Sequence, residues 1–166
     1  MKDIKLFEKW LKKSLNEKMY LQALKDEVIV TDGFVAFKIK RTEERYIEVI
    51  KEQTFQELNE NFRIDYRKIT KIGELKLNEL FNKTNMEKIE NTNLVYQTSD
   101  RMSLKVLSSS KGYIFIDVNN IKINNIKDYE IYGENPVKPI LLVSKEVEIL
   151  VLPVRLCMFP YEIKAI

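Results

Sequence analysis

Residues 28–40, VIVTDGFVAFKIK, constrain the fold more than any other stretch of this chain. Two apolar runs are joined by Asp32-Gly33. Asp-Gly between such runs is a strong hairpin signal, because a tight turn between antiparallel strands needs residues that tolerate positive φ. Val28 to Thr31 is therefore expected as one strand and Phe34 to Lys40 as the next. Alternate side chains of a strand share a face. Phe34, Ala36 and Lys38 fall on one face. Val35, Phe37 and Ile39 fall on the other, which is the better core face. A further strand, Met19 to Leu24, precedes the hairpin, with Lys25-Asp26-Glu27 as the turn between them.

Turn signals cut the second half of the chain into more strands: Leu94–Thr98, Met102–Leu107, Tyr113–Val118, Ile121–Ile126, Tyr129–Tyr132, Ile140–Val143 and Glu148–Leu156. The separators are rich in Ser, Asp, Asn, Gly and Pro, which favour turns through positive φ, a preset φ or local side-chain bonds. Gly112, in SSSKG, is a candidate for positive φ. Two amphipathic helices are expected. In the first, Ile4, Phe7, Leu11 and Leu15 form one apolar stripe, with Asp3 as its cap. The second is Leu75–Thr84, packing Leu77, Leu80 and Phe81. Residues 41–72 read as a helical excursion and a returning strand, with Tyr46, Val49 and Ile50 at helical spacing. Helix-then-strands occurs at residues 4–40 and again at 75–118, a repetition of pattern and not of residues.

Length and composition bound the rest. The chain has 166 residues, 45% of them apolar and 32% charged, which suits one globular domain with a real core. No apolar run is long enough to span a membrane, and charges interrupt the apolar positions of the N-terminus, so an intracellular, cytoplasmic protein is expected. There is no histidine and Cys157 is the single cysteine. Ser-His-Asp, Cys-His and His- or thiolate-ligated zinc sites are thereby excluded. The four glycines, Gly33, Gly73, Gly112 and Gly133, are dispersed, so no Gly-rich phosphate loop exists. The Lys, Ile, Asn and Glu bias fits an AT-rich genome, such as that of a low-GC bacterium or its phages.

The net charge of +3 lies in the first eighteen residues, where six lysines face Asp3, Glu8 and Glu17. On a helix, Lys2, Lys5, Lys9, Lys12 and Lys13 cluster opposite the apolar stripe, with Glu8 outside the cluster. Such a stripe is either a solvated face or a surface for phosphates, giving salt-sensitive, sequence-independent binding of double-stranded DNA.

The C-terminal third carries a family resemblance. YIFIDVNNIKI, YEIYGENPVKPILLV and LPVRL resemble successive segments at the end of the bacterial DNA polymerase sliding clamp (the β clamp), many members of which finish on Met-Pro-Met-Arg-Leu. VIVTDGFVAFKI resembles the family's "ATD" hairpin. The resemblance covers residues 112–156 well, 19–40 loosely and 41–72 not at all. It implies an α+β, clamp-like domain over residues 1–166, with two helices on one face of a largely antiparallel sheet and pseudo-repeated α-βββ halves. Residues 41–72 would be an insertion and 157–166 a C-terminal extension. In the family the terminal segment lines a pocket for short apolar partner peptides. Carried over, that points to Leu152, Pro153, Val154, Arg155 and Leu156, with Met158 and Phe159 beside them. The chain continues past LPVRL as CMFPYEIKAI, where a clamp would stop. Clamp subunits chain two or three such domains, so a closed ring would need many copies of this chain, and the oligomeric state stays open.

The function expected is a non-enzymatic DNA- and/or protein-binding module of a phage, mobile element or low-GC bacterium, associated with DNA replication or repair. The alternative is a phage-encoded protein-interaction factor, or an inhibitor of a host or defence protein, without nucleic-acid binding. No cofactor, metal or membrane partner is implied. Asp26, Glu27, Asp32, Asp100 and Asp117 are the acidic candidates for catalysis, but they lack a metal-binding spacing, and Asp32 sits where a turn demands Asp for structural reasons. Tyr96, Tyr113, Tyr129 and Tyr132 interleave with cations, although aromatics in a β-rich domain are more often core or cross-strand pairs.

Overall fold

The structure, a computed structural model, describes residues 2–98, 100–117, 126–155 and 164–165, without the side chains of Lys2, Asp3, Lys127, Lys164 and Ala165. The chain divides into two compact units, residues 1–81 with 145–149, and residues 82–144 with 150–166. The fold class is α+β, with two α-helices among the described residues and largely antiparallel sheet.

The first unit opens with helix α1, Lys2–Leu15. Strands β1 (Lys18–Ala23), β2 (Glu27–Thr31) and β3 (Val35–Lys40) follow, then α2 (Glu44–Thr54), β4 (Asn61–Asp65) and β5 (Lys68–Ile72). The strand order is β5-β4-β1-β2-β3, every pair antiparallel, with Val147–Ile149 of a later strand beside β3. Residues 61–72 thus extend the sheet at β1. Tyr20 faces Thr31 on one side and Arg63 on the other.

Both helices use the spacing of their apolar residues to cover one face of this sheet. Phe7, Leu11 and Leu15 of α1 are buried, as are Tyr46, Ile50 and Thr54 of α2, and so are Val35, Phe37 and Ile39 of β3. Phe7 is the centre of an aromatic group. Its ring lies 5.0 Å from Phe37, edge to face, and 5.3 Å from Tyr46, while Trp10 lies 4.6 Å from Phe37. Such offset and edge contacts add to burial itself, which for a side chain like Leu11 is worth about 2–3 kcal/mol.

Three local expectations change. The helical excursion expected after residue 41 forms as Glu44–Thr54, but the helix expected at Leu75–Thr84 does not, and a single 3-10 turn, Leu77–Phe81, stands in its place. The reason is backbone competition. The buried Gln22 side chain donates to the Leu75 carbonyl and accepts the Asn78 N–H at 3.1 Å, so both groups are held against β1. Phe81 is buried under Lys38, whose ammonium lies 5.6 Å from its ring, while Leu80 is left 50% exposed. Asp3 lies inside the first turn of α1 rather than at its cap. The strand expected at 148–156 is Val147–Val151, and Leu152 to Arg155 follow without strand structure.

The second unit contains β6 (Glu87–Lys88), β7 (Glu90–Gln97), β8 (Ser103–Ser109), β9 (Gly112–Asp117), β10 (Glu130–Gly133), β11 (Ile140–Val143), the end of β12 (Val147–Val151) and β13 (Lys164–Ala165). β13, β7, β8 and β9 form one antiparallel sheet in that order, with a register shift between Asn91 and Leu94, and β10 pairs with both β11 and β6. Gly112 takes φ +122 at the β8–β9 turn, as its sequence context required. The strand expected at Ile121–Ile126 lies outside the described residues, except that Ile126 begins a 3-10 turn ending at Asp128.

Candidate nucleic-acid interface

α1 separates its apolar and basic residues as its periodicity demands. At about 100° per residue, Lys5, Lys9, Lys12 and Lys13 point away from the stripe that Phe7, Leu11 and Leu15 bury, and all four are exposed. The Lys2 side chain lies outside the described residues. Lys5, Lys9 and Lys13 make no ion pair among the described residues. Lys12 does: its ammonium sits 2.6 Å from Glu8, one turn earlier. Glu8 was expected apart from the basic cluster, and the i,i+4 geometry brings it in.

The C-terminal end of α1 gathers further cations that sequence reasoning missed. Its last carbonyls would lack partners inside the helix. Those of Lys12, Lys13 and Ser14 find partners locally, in the Asn16 side-chain amide and the Asn16 and Glu17 N–H groups, and the β4–β5 turn, far along the sequence, reaches the next ones. Arg67 N–H donates to the Leu15 carbonyl at 2.9 Å, and Tyr66 N–H to that of Glu17, just past the helix, at 2.7 Å. Arg67 Nε also donates to Asn16 Oδ1 at 2.6 Å. Arg67 and Lys68 thereby join Lys13 and Lys18 around the negative end of the helix dipole, where positive charge is favoured. The signal in the sequence was slight, because Tyr66-Arg67 lacks the Asn-Gly or Asp-Gly signature of a tight hairpin.

α2, which packs beside α1, carries the opposite sign. Glu44, Glu48 and Glu52 recur at four-residue spacing, are all exposed, and lie opposite the buried Tyr46 and Ile50. Near the helix N-termini, Glu43, Glu44 and Glu146 border a shallow cavity of about 300 Å³ with Ile4, Arg45 and Tyr46, and the Tyr46 hydroxyl donates to Glu146 at 3.3 Å. No group of three or more carboxylates or Cys is placed to hold a metal among the described residues. Asp32, the best placed of the acidic candidates, spends both oxygens on structure. Oδ1 accepts the N–H groups of Phe34 and Val35, each at 2.9 Å, and Oδ2 accepts Trp10 Nε1 at 2.9 Å and the Ser14 hydroxyl.

The C-terminal candidates belong to the second unit. Leu152 is 42% exposed, Arg155 is exposed, and Pro153 and Val154 are half-buried. Val154 N–H donates to the Phe115 carbonyl at 2.8 Å, and its side chain packs on Leu104, Val106 and Phe115. Leu156, Met158 and Phe159 lie outside the described residues. Of the interleaved tyrosines, Tyr129 is buried, Tyr96 packs against Phe115 at 5.9 Å, and Tyr132 donates to Glu130 at 2.9 Å. That bond lowers the Glu130 carboxyl below its ordinary range, with Lys88 adding to it, and raises the Tyr132 phenol.

No family model and no curated protein matches the chain. Among solved structures it is similar to the DnaN sliding clamp (DNA polymerase III subunit beta) from Bartonella birtlesii bound to griselimycin, at TM-score 0.46 and 12% identity over 88% of this chain and 59% of that one. It is similar also to the beta subunit of DNA polymerase from Streptococcus pyogenes, at TM-score 0.41 and 10% identity over 92% of this chain and 64% of that one. A third is the C. crescentus beta sliding clamp, at TM-score 0.41 and 12% identity over 93% and 64%. These are structures of the family that the C-terminal segment resembles. The chain spans about three fifths of their length. No helix among the described residues is long and apolar enough to cross a membrane.

Proposed function

We propose that this chain is a non-enzymatic, clamp-like binding module associated with DNA replication or repair, encoded by a phage, mobile element or low-GC bacterium. Its α1 lysines contact the phosphates of double-stranded DNA, and the Leu152–Leu156 segment meets an apolar peptide of a protein partner. The observation that carries the DNA contact is the exposure of Lys5, Lys9, Lys12 and Lys13 on the side of α1 away from the buried stripe, with Glu8 as the one carboxylate paired to the row among the described residues. A row of lysines on one helix face neutralises a few phosphates without reading bases, so binding is modest and salt-dependent.

Replacing Lys5, Lys9 and Lys13 by Glu tests this reading. The positions are exposed, so the unfolding transition changes little. Duplex affinity falls steeply, and the slope of log K against log salt flattens by about 0.9 for each phosphate that the row no longer neutralises. Absence of wild-type duplex binding at low salt rules the DNA contact out. The exposed row Glu44, Glu48 and Glu52 on α2 favours a second reading, a protein-interaction factor or inhibitor without nucleic acid, because carboxylates beside the lysines repel phosphate and attract a basic partner.

A further inference from the structure

The basic surface continues past the end of α1, and there it acquires aromatic rings. The β2–β3 turn holds Phe34 in solvent, 65% exposed, on a backbone fixed by Asp32 and, through Asp32, by Trp10 and Ser14 of α1. The β4–β5 turn holds Tyr66 in solvent, 81% exposed, on a backbone fixed by the Leu15 and Glu17 carbonyls. Strand order places the start of β1 between the two turns. At about 4.8 Å per strand the turns stand roughly 14 Å apart, at the same end of the sheet.

Cations fill the interval. Lys18 opens β1, Arg67 and Lys68 follow Tyr66, and Lys13 projects from the last turn of α1, all exposed. Of the carboxylates at this end, Asp32 is spent on its four bonds, Asp65 is held by Arg63 Nε at 2.6 Å, and Glu17 is exposed. Tyr66 adds a further point. It sits at φ +47, a conformation that costs a bulky residue free energy and that Asn or Gly adopts readily. Neither burial nor backbone preference accounts for a tyrosine there.

We infer that this end of the sheet binds single-stranded nucleic acid, with bases stacking on Phe34 and Tyr66 and phosphates on Lys18, Arg67 and Lys68, Lys13 linking them to the α1 row. The inference rests on the nucleic-acid reading above and adds a strand preference to it. Every base has a π face, so aromatic platforms between cations bind single strands without sequence preference, whereas a duplex keeps those faces inside its stack.

The test compares an oligothymidylate with a duplex of equal length, by fluorescence anisotropy across a salt series. Phe34→Ala and Tyr66→Asn each lower oligothymidylate affinity at least fivefold. Neither changes the salt slope or the duplex affinity. Arg67→Gln with Lys68→Gln flattens the oligothymidylate slope by about 0.7 for each phosphate that the pair no longer neutralises. Tyr66→Asn suits the φ of its site, so a loss of binding is not a loss of folding, and thermal unfolding checks this. Duplex binding without oligothymidylate binding, or aromatic variants that bind oligothymidylate as the wild type does, overturns the single-strand site and leaves the α1 reading standing. Absence of binding to either probe overturns both.

Discussion

The Trp10 indole donates its N–H to Asp32 Oδ2 at 2.9 Å, joining α1 to the β2–β3 turn across 22 positions of sequence. The same carboxylate orders the turn through the Phe34 and Val35 amides. One side chain therefore sets both the local hairpin and the seating of the lysine-bearing helix.

Asp32→Ala removes four hydrogen bonds at once and leaves the part-buried Trp10 N–H without its partner. A charged acceptor in such a setting is worth about 2–3 kcal/mol. Urea denaturation should show a loss of that order. Asp32→Asn, which keeps one acceptor oxygen, should lose less. Equal stability of wild type and Asp32→Ala would show that the turn and the helix seat independently of this residue.

Phe55 ends α2 in the left-handed region, at φ 55, with its N–H on the Lys51 carbonyl at 2.7 Å. It is 86% exposed, so its ring contributes little burial. Glycine meets no Cβ penalty at such a cap. Phe55→Gly should stabilise the protein by about 1 kcal/mol, a rise of roughly 2–4 °C in Tm. A fall in Tm would mean that the Phe55 ring contributes more than its exposure indicates.

Glu87 accepts the Ser110 hydroxyl at 2.7 Å and the Ser110 N–H at 2.8 Å, and these bonds hold its carboxyl below the ordinary carboxylate range. A folded-state pKa below the unfolded one means a contribution that is present above the unfolded value and lost as pH falls through the folded value. Wild type should therefore be more stable than Glu87→Gln at neutral pH, and the difference should shrink as the solution is acidified below the normal carboxylate range. Denaturation curves of both proteins at neutral and acidic pH measure it. A gap that widens on acidification would contradict the assignment.

The elements legible without the fold were those whose signals are local. Asp32-Gly33 announces its turn because the turn needs those residue types. The stripe Ile4, Phe7, Leu11 and Leu15 announces α1 because 3.6-residue periodicity is written into consecutive positions. The exposed lysines followed from the same arithmetic. The α2 row Glu44, Glu48 and Glu52 was readable by that rule too, once the helix was placed.

What tertiary structure decided lies in bonds between distant segments. Amphipathic spacing at 75–84 promised a helix, but Gln22, more than fifty residues earlier, captures the Leu75 carbonyl and the Asn78 amide and leaves one 3-10 turn. Tyr66 and Arg67 carry no common turn signature. They hold positive φ in a structure where Leu15 and Glu17 offer carbonyls to both of their amides. The physical reason is the same in each case. Periodicity reports how a segment would fold against a generic apolar surface, whereas a particular backbone hydrogen bond depends on which remote group the completed sheet brings within about 3 Å.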